Sequence, residues 1–361
     1  MALQSITRLW RAPPPPGISP HRARLYRAIF LLAAAYNAAF GLWAGLWPRS
    51  FFEVFGLAPP AYPAIWQCLG MVVGVYALLY GYGALRLDLA RPYVAVGLLG
   101  KILGPIGLVL TISSGQWPAR TFSLIVFNDL IWWAPFTLFL LEGTRLGERV
   151  RSTAPFICAG LNLLGGAALA LVLRPGTEVV ADPLARAAYI SQHPALWRGG
   201  WLVWMAAALS LLGFYAWWAG RPGMPAWALA GFWLAATGIV FDFLAESLYI
   251  GWLPENLLSL QRLGTLLSAG VANGLYTLGG ITLTLATPWG RAGEAAAHCP
   301  LVSRNSRWRL LRPYLAWAAW AAGLALSLAA LANFVPGLVL AGAALVICFC
   351  PFALLMGLTT A

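Results

Sequence analysis

The chain has 361 residues, 61% of them hydrophobic and only 9% charged, and its mean hydropathy is +0.76. Soluble domains carry roughly 25% charged residues, so a soluble globular protein is excluded. The net charge of +12 comes with no basic stripe on any apolar run and no nucleic-acid motif, which excludes nucleic-acid recognition and leaves the charge as a signal of membrane topology.

Apolar runs of about 20 residues, the length of a membrane-spanning helix, recur along the whole chain. Ten spans are predicted, at 28–47, 64–86, 92–113, 121–141, 155–173, 200–219, 225–250, 262–286, 313–333 and 336–357. Prolines and arginines separate them. Residues 1–24 include PPPP at 13–16 and lack the apolar core of a signal peptide, so they read as a cytoplasmic arm rather than an organellar transit peptide. With the N-terminus inside, the inner segments hold 16 of the 22 arginines. The outer ones hold six: Arg49, Arg120, Arg174, Arg186, Arg198 and Arg262. Positive charge stays on the cytoplasmic side, so both termini are placed inside. The longest outer segment is 174–199. Arginine in place of lysine, with abundant Ala, Gly and Pro, fits a GC-rich bacterial genome and the inner (plasma) membrane.

Four short stretches recur in the same order in the two halves. YNAAFG (36–41) answers to LNLLGG (161–166), and PAIWQCLG (63–70) to PALWRGGW (194–201). SGQWP (114–118) answers to IGWLP (250–254), and FNDLIWWAPFT (127–137) to ANGLYTLGGIT (272–282). A tandem duplication of a four-helix unit follows. Its parts are four-helix repeat 1 at 25–149, repeat 2 at 150–288, a basic cytoplasmic linker at 289–312 and a C-terminal hairpin at 313–361. Both repeats start inside, so they are parallel, related by an axis along the membrane normal. The fold class is all-α and polytopic.

Ionisable groups within spans mark function by default, because a central Lys or Asp costs about 2.5–3.5 kcal/mol on insertion scales. Four are present: Lys101, Asp129, Asp242 and Glu246. Lys101 is the only lysine. At about 1.5 Å rise per residue, Lys101, Asp129 and Asn37 lie at similar depth, and the long lysine stem can reach Asp129. Pro105 cannot donate to the carbonyl of Lys101, four residues earlier, so that carbonyl is freed at mid-membrane. With Asn128 beside Asp129, these groups form one candidate ligand or proton site, or a buried ion pair that fixes helix register. Trp132 and Trp133 lie beside it, as core or as the walls of a flat apolar pocket.

Asp242 and Glu246 are four residues apart and share a helix face. Arg262 at the outer edge is the expected partner of Glu246, and Asn273 is expected near Asp242. Two carboxylates on one face suit a proton carrier or general acid, or a capped helix end. GxxxG pairs at Gly41/Gly45, Gly70/Gly74, Gly100/Gly104 and Gly270/Gly274 indicate close helix packing. Trp43, Trp47, Trp66, Trp117, Trp197, Trp201 and Trp252 read as interfacial belts.

Cys68, Cys158, Cys348, Cys350 and Cys299 form no disulfide or zinc framework, and His21, His193 and His298 lie outside the spans. No metal and no cofactor is expected. LLGKI lacks the first Gly and the Ser/Thr of a phosphate loop, and no HExxH, GxSxG or GxGxxG is present.

Residues 25–145 resemble the DoxX-like group of small four-helix bacterial membrane proteins. The likeness rests on the early polar-Gly helix, WPRSFFEVFGL (47–57) as a re-entering amphipathic loop, the Gly-rich second helix and the charged third one. That group is functionally mixed, so the resemblance implies a fold and no activity. Three functions are compatible with these residues. The first is a transporter or binder of a small lipophilic molecule, with the lipid bilayer as its setting. The second is an intramembrane enzyme on a lipid or isoprenoid, with Asp242 or Glu246 as acid/base. The third is a membrane scaffold or assembly factor. Neither the ligand nor the oligomeric state follows from sequence.

Overall fold

The computed structural model describes residues 15, 17–221, 223–253, 257–289 and 306–360. Most of the arm at 1–24 and most of the 289–312 linker, with His298 and Cys299, lie outside the described residues. The described chain is helical, with ten helices long and apolar enough to cross a membrane. The protein is an all-α polytopic membrane protein. It divides into two compact units, Met1–Glu148 and Arg149–Ala361.

Unit 1 contains four spanning helices, α1 (Pro20–Leu46), α3 (Pro63–Leu85), α4 (Ala90–Ser113) and α5 (Ala119–Leu140), and one short helix, α2 (Ser50–Val54). Ser19 caps α1 by accepting the Arg22 N–H. Helices α1 and α3 cross through small residues. A Cβ on Gly41 would lie 2.7 Å from the Gly74 Cα, so only glycine permits this approach. The amphipathic loop folds as α2. Its Phe51 stacks on Trp66 at 4.4 Å between ring centroids, and Arg120 donates to the Phe55 carbonyl at 2.6 Å. On α4 the buried residues are Ala90, Val94, Gly97, Lys101 and Pro105, a stripe at steps of three and four. The rest of α4 exposes Val96, Leu99, Leu103, Ile106, Val109 and Leu110, which suits a lipid-facing surface.

Unit 2 contains α6 (Arg145–Gly176) from Arg149 onward, α7 (Pro183–Gln192), α8 (Pro194–Ala219), α9 (Ala226–Trp252), α10 (Leu260–Ala286), α11 (Ser306–Leu331) and α12 (Val335–Thr360). The segment between α6 and α8 is thus partly helical, with Asp182 capping α7. The C-terminal hairpin α11–α12 is built into unit 2 rather than trailing from it. Asn273 on α10 donates to the Gly323 carbonyl at 2.7 Å and to Ser327 at 2.9 Å. Trp320 donates to Thr284 at 2.8 Å. A second glycine crossing joins α9 to α10, where a Cβ on Gly279 would lie 2.6 Å from the Gly231 carbonyl oxygen.

Three tryptophans expected at the interface are core residues instead. Trp66, Trp197 and Trp201 are buried by protein. Trp197 explains the difference, because its indole donates to the Tyr249 carbonyl at 2.7 Å. Trp47 is exposed, as an interfacial residue should be.

Candidate functional site

Four π-helical segments interrupt the spans: Val126–Leu130 in α5, Leu169–Leu173 in α6, Leu248–Trp252 in α9 and Leu266–Ala272 in α10. A π turn widens the helix, shifts its hydrogen-bond register and commonly marks a functional place. Each segment here has a carbonyl that a side chain from elsewhere engages. Lys101 donates to Asn128, Tyr189 to Val172, Trp197 to Tyr249 and Ser327 to Ala269. A buried carbonyl left free in the membrane would be costly. These four contacts use such groups to fix helix against helix.

The unit 1 polar cluster is therefore arranged differently from the direct Lys101–Asp129 pair expected from sequence. Lys101 and Asp129 are both buried, but the Lys101 ammonium donates to the Asn128 carbonyl. The Asn128 amide in turn donates to Asp129 Oδ1 at 2.9 Å. Asn128 thus bridges the two charges. The π turn is the reason, because it presents the Asn128 carbonyl to α4. Asp129 faces α4 one turn from Lys101, with an oxygen 3.5 Å from where a Cβ on Gly104 would sit. The ammonium also lies 5.8 Å from the Trp132 ring centroid, within cation–π range. Asn37 is buried. Trp133 donates to the Lys101 carbonyl at 2.8 Å, the carbonyl that Pro105 leaves free.

A buried ion pair at contact distance does exist in unit 1. Arg22 Nη1 meets Glu142 Oε1 at 2.6 Å, and Tyr26 donates to Glu142 Oε2 at 2.8 Å. Glu142 lies just past the end of α5, and burial holds its carboxyl above the ordinary value against the hydrogen bond from Tyr26 and the charge of Arg22. The sequence places Glu142 outside the predicted span, which is why it escaped notice as a site residue.

Unit 2 holds a lined cavity. A cavity of about 460 Å³, within the range of roughly 300–1,000 Å³ usual for small-ligand sites, lies among α6, α8, α9, α10, α11 and α12. On α12 its wall runs from Val335 to Phe349, which is roughly 20 Å of helix. Polar groups gather towards the 174–182 end: Arg174, Thr177, Glu178, Gln261 and Thr265. Three of the four π segments supply lining residues, namely Leu169, Tyr249 and Ser268.

Asp242 lines this cavity. Ser268 donates to its Oδ1 at 2.5 Å and Tyr276 to its Oδ2 at 3.0 Å. Asn273 also lines the cavity, but its amide bonds α11 rather than Asp242. Glu246 is fully buried, and among the described residues neither of its oxygens has a hydrogen-bond partner. The expected Arg262–Glu246 pair is absent, because Arg262 donates instead to the Leu331 carbonyl at 3.2 Å. That carbonyl lies at the end of α11, where the last carbonyls lack intrahelical donors. Two further lining residues carry buried atoms with no partner: Trp201 Nε1, a donor, and Gln261 Oε1, an acceptor. Trp201 stacks on Tyr249 with centroids 4.1 Å apart and planes at 18°.

No family model, curated protein or solved structure matches this chain.

Proposed function

We propose that the protein is a bacterial inner-membrane binder or transporter of a small lipophilic molecule, which it holds in the cavity of unit 2. The cavity carries this reading. It is walled by aromatic and aliphatic side chains, with a few polar groups at one end and one buried carboxylate. That composition suits an amphipathic ligand, since small-molecule sites are mostly apolar with a small number of placed polar groups. The unpartnered Trp201 and Gln261 atoms offer a donor and an acceptor to such a ligand. A scaffold with no ligand gives no reason for a lined cavity with unsatisfied polar groups. The resemblance of residues 25–145 to DoxX-like proteins adds a fold and no substrate.

The test is binding of the neutral fluorescent probe N-phenyl-1-naphthylamine to the purified full-length protein in nanodiscs. Saturable binding that quenches tryptophan emission is expected. Val339 lines the cavity and is half exposed, so Val339→Trp should fill the space while the fold is kept. Binding should then fall by about tenfold or more, a change of roughly 1.4 kcal/mol. Non-saturable partitioning, unchanged in Val339→Trp, would reject the reading.

A further inference from the structure

Asp242 and Glu246 sit one helical turn apart, 3% and 0% exposed. Among the described residues no lysine or arginine forms an ion pair with either carboxylate. The Arg174 side chain lines the same cavity but is exposed, and Arg262 is directed to the Leu331 carbonyl. A charge buried away from water is expensive unless it is paired. The described residues therefore leave the counter-charge to be supplied from elsewhere. Only a proton or a cationic ligand can do so.

The cavity walls discriminate between ligand types. The lining of the cavity that Asp242 enters includes Trp197, Trp201, Trp204, Tyr215, Tyr249 and Trp320. Aromatic faces are negative and attract cations, most strongly when desolvated. A carboxylate within an aromatic-lined apolar cavity favours an organic cation over an anion of equal size and shape. Asp242 is the hydrogen-bonded carboxyl of the two, with Ser268 donating to one oxygen and Tyr276 to the other. Glu246, one turn away, accepts no hydrogen bond among the described residues.

We propose that the cavity of unit 2 takes a lipophilic organic cation, neutralised by Asp242, and that this cation competes with a proton carried by the Asp242–Glu246 pair. This rests on the cavity as the binding site and goes beyond it by naming the ligand's charge. The titratable groups that face the pair are few. Tyr276 comes from α10, beside the non-titrating Ser268 hydroxyl, and Tyr249 from α9 itself, while Tyr215 of α8 donates to the Tyr276 carbonyl. Arg174 and Glu178 stand at the polar end, where Glu178 accepts from Thr265 at 3.0 Å. The cavity-lining residues of α11 and α12 are Trp320, Phe349, glycine and aliphatic side chains.

The experiment compares tetraphenylphosphonium with tetraphenylborate, two ions of the same shape and opposite charge, on the purified full-length protein in uncharged nanodiscs. The phosphonium should bind at least about tenfold more tightly, about what one desolvated cation–π contact supplies. Its affinity should weaken as pH falls, with up to one proton released per cation bound. Asp242→Asn should lose that preference and its pH dependence. Equal affinity for the two ions, or a pH-independent phosphonium affinity, overturns the proposal. The comparison of ions needs no variant, so misfolding of Asp242→Asn would not rescue it. If the neutral probe binds and the phosphonium does not, the cavity reading stands and the charge assignment falls. If neither binds, both fall.

Discussion

The Trp133 indole donates to the Lys101 carbonyl at 2.8 Å, across from α5 to α4. That carbonyl would ordinarily accept from residue 105, which is a proline. Helix α4 nonetheless runs unbroken from Ala90 to Ser113, and Trp133 supplies the missing donor. Trp133→Phe should leave a buried carbonyl unsatisfied and cost about 1–3 kcal/mol. In a Pro105→Ala background the backbone donor returns, and Trp133→Phe should then cost much less. A double-mutant cycle on unfolding in mixed detergent measures the difference. Strict additivity would show that the indole and the proline are not linked.

The bridge through Asn128 makes a related prediction. Lys101→Met and Asp129→Leu should each be poorly tolerated, because each leaves the other charge buried in the membrane. The double variant should recover part of the loss, giving a coupling of about 0.5–3 kcal/mol. Asn128→Ala should weaken that coupling, since it removes the amide donated to Asp129 and keeps the carbonyl that receives Lys101. Coupling of the same size with Ala at 128 would mean the charges interact without the bridge.

The ten spans were legible because apolar runs of helix length do not depend on tertiary context. So was the carbonyl freed by Pro105, since proline chemistry is local. The identity of its donor was not, because Trp133 lies 32 residues away on another helix and only packing brings it there. The π segments leave no mark in the periodicity, yet they decide that Lys101 meets Asn128 and that Trp197 turns inward. Arg262 was assigned to Glu246 on depth alone. Helix rotation, which depth does not give, sends it to α11. The cavity needed the hairpin, whose α12 wall reads in sequence as an ordinary lipid-facing span.

Glycine contacts separate helix crossings from positions that are glycine without crowding, whether or not the glycine belongs to a GxxxG pair. A Cβ on Gly279 meets the Gly231 carbonyl oxygen at 2.6 Å, whereas one on Gly45 or Gly100 meets nothing within 4 Å. Gly279→Ala should force α9 and α10 apart and destabilise unit 2 by about 1–3 kcal/mol, as overpacking does. Gly45→Ala and Gly100→Ala should be neutral or slightly stabilising, because alanine is the better helix former. Thermal aggregation midpoints of the three variants test this ranking. Equal loss in all three would reject it.

Glu142 gives the pH dependence of unit 1. Its carboxyl is held above the ordinary value of 4.5, first by burial, against Tyr26 and Arg22. A raised value in the folded state means the native protein binds this proton more tightly than the unfolded chain. The contribution is therefore fully present below pH 4.5 and lost as pH rises through the folded value. Tyr26→Phe removes a donor to the ionised form and should push that value higher, moving the loss to higher pH. Following the Glu142 carboxyl band by infrared difference spectroscopy would check both the direction and the shift. A Tyr26→Phe titration at or below that of the native protein would contradict it.

Glu246 and Asp242 should respond oppositely to neutral replacement. Asp242 accepts from Ser268 and Tyr276, so Asp242→Leu strands two hydroxyls and should destabilise unit 2 by about 1–3 kcal/mol. Glu246 accepts from nothing while fully buried. Glu246→Gln keeps the shape and breaks no hydrogen bond or ion pair among the described residues, so it should be neutral or slightly stabilising. Unfolding of both variants at neutral pH reads this directly. A large loss in Glu246→Gln would mean that Glu246 is ionised and held by a cation, which moves the counter-charge from Asp242 to its neighbour one turn away.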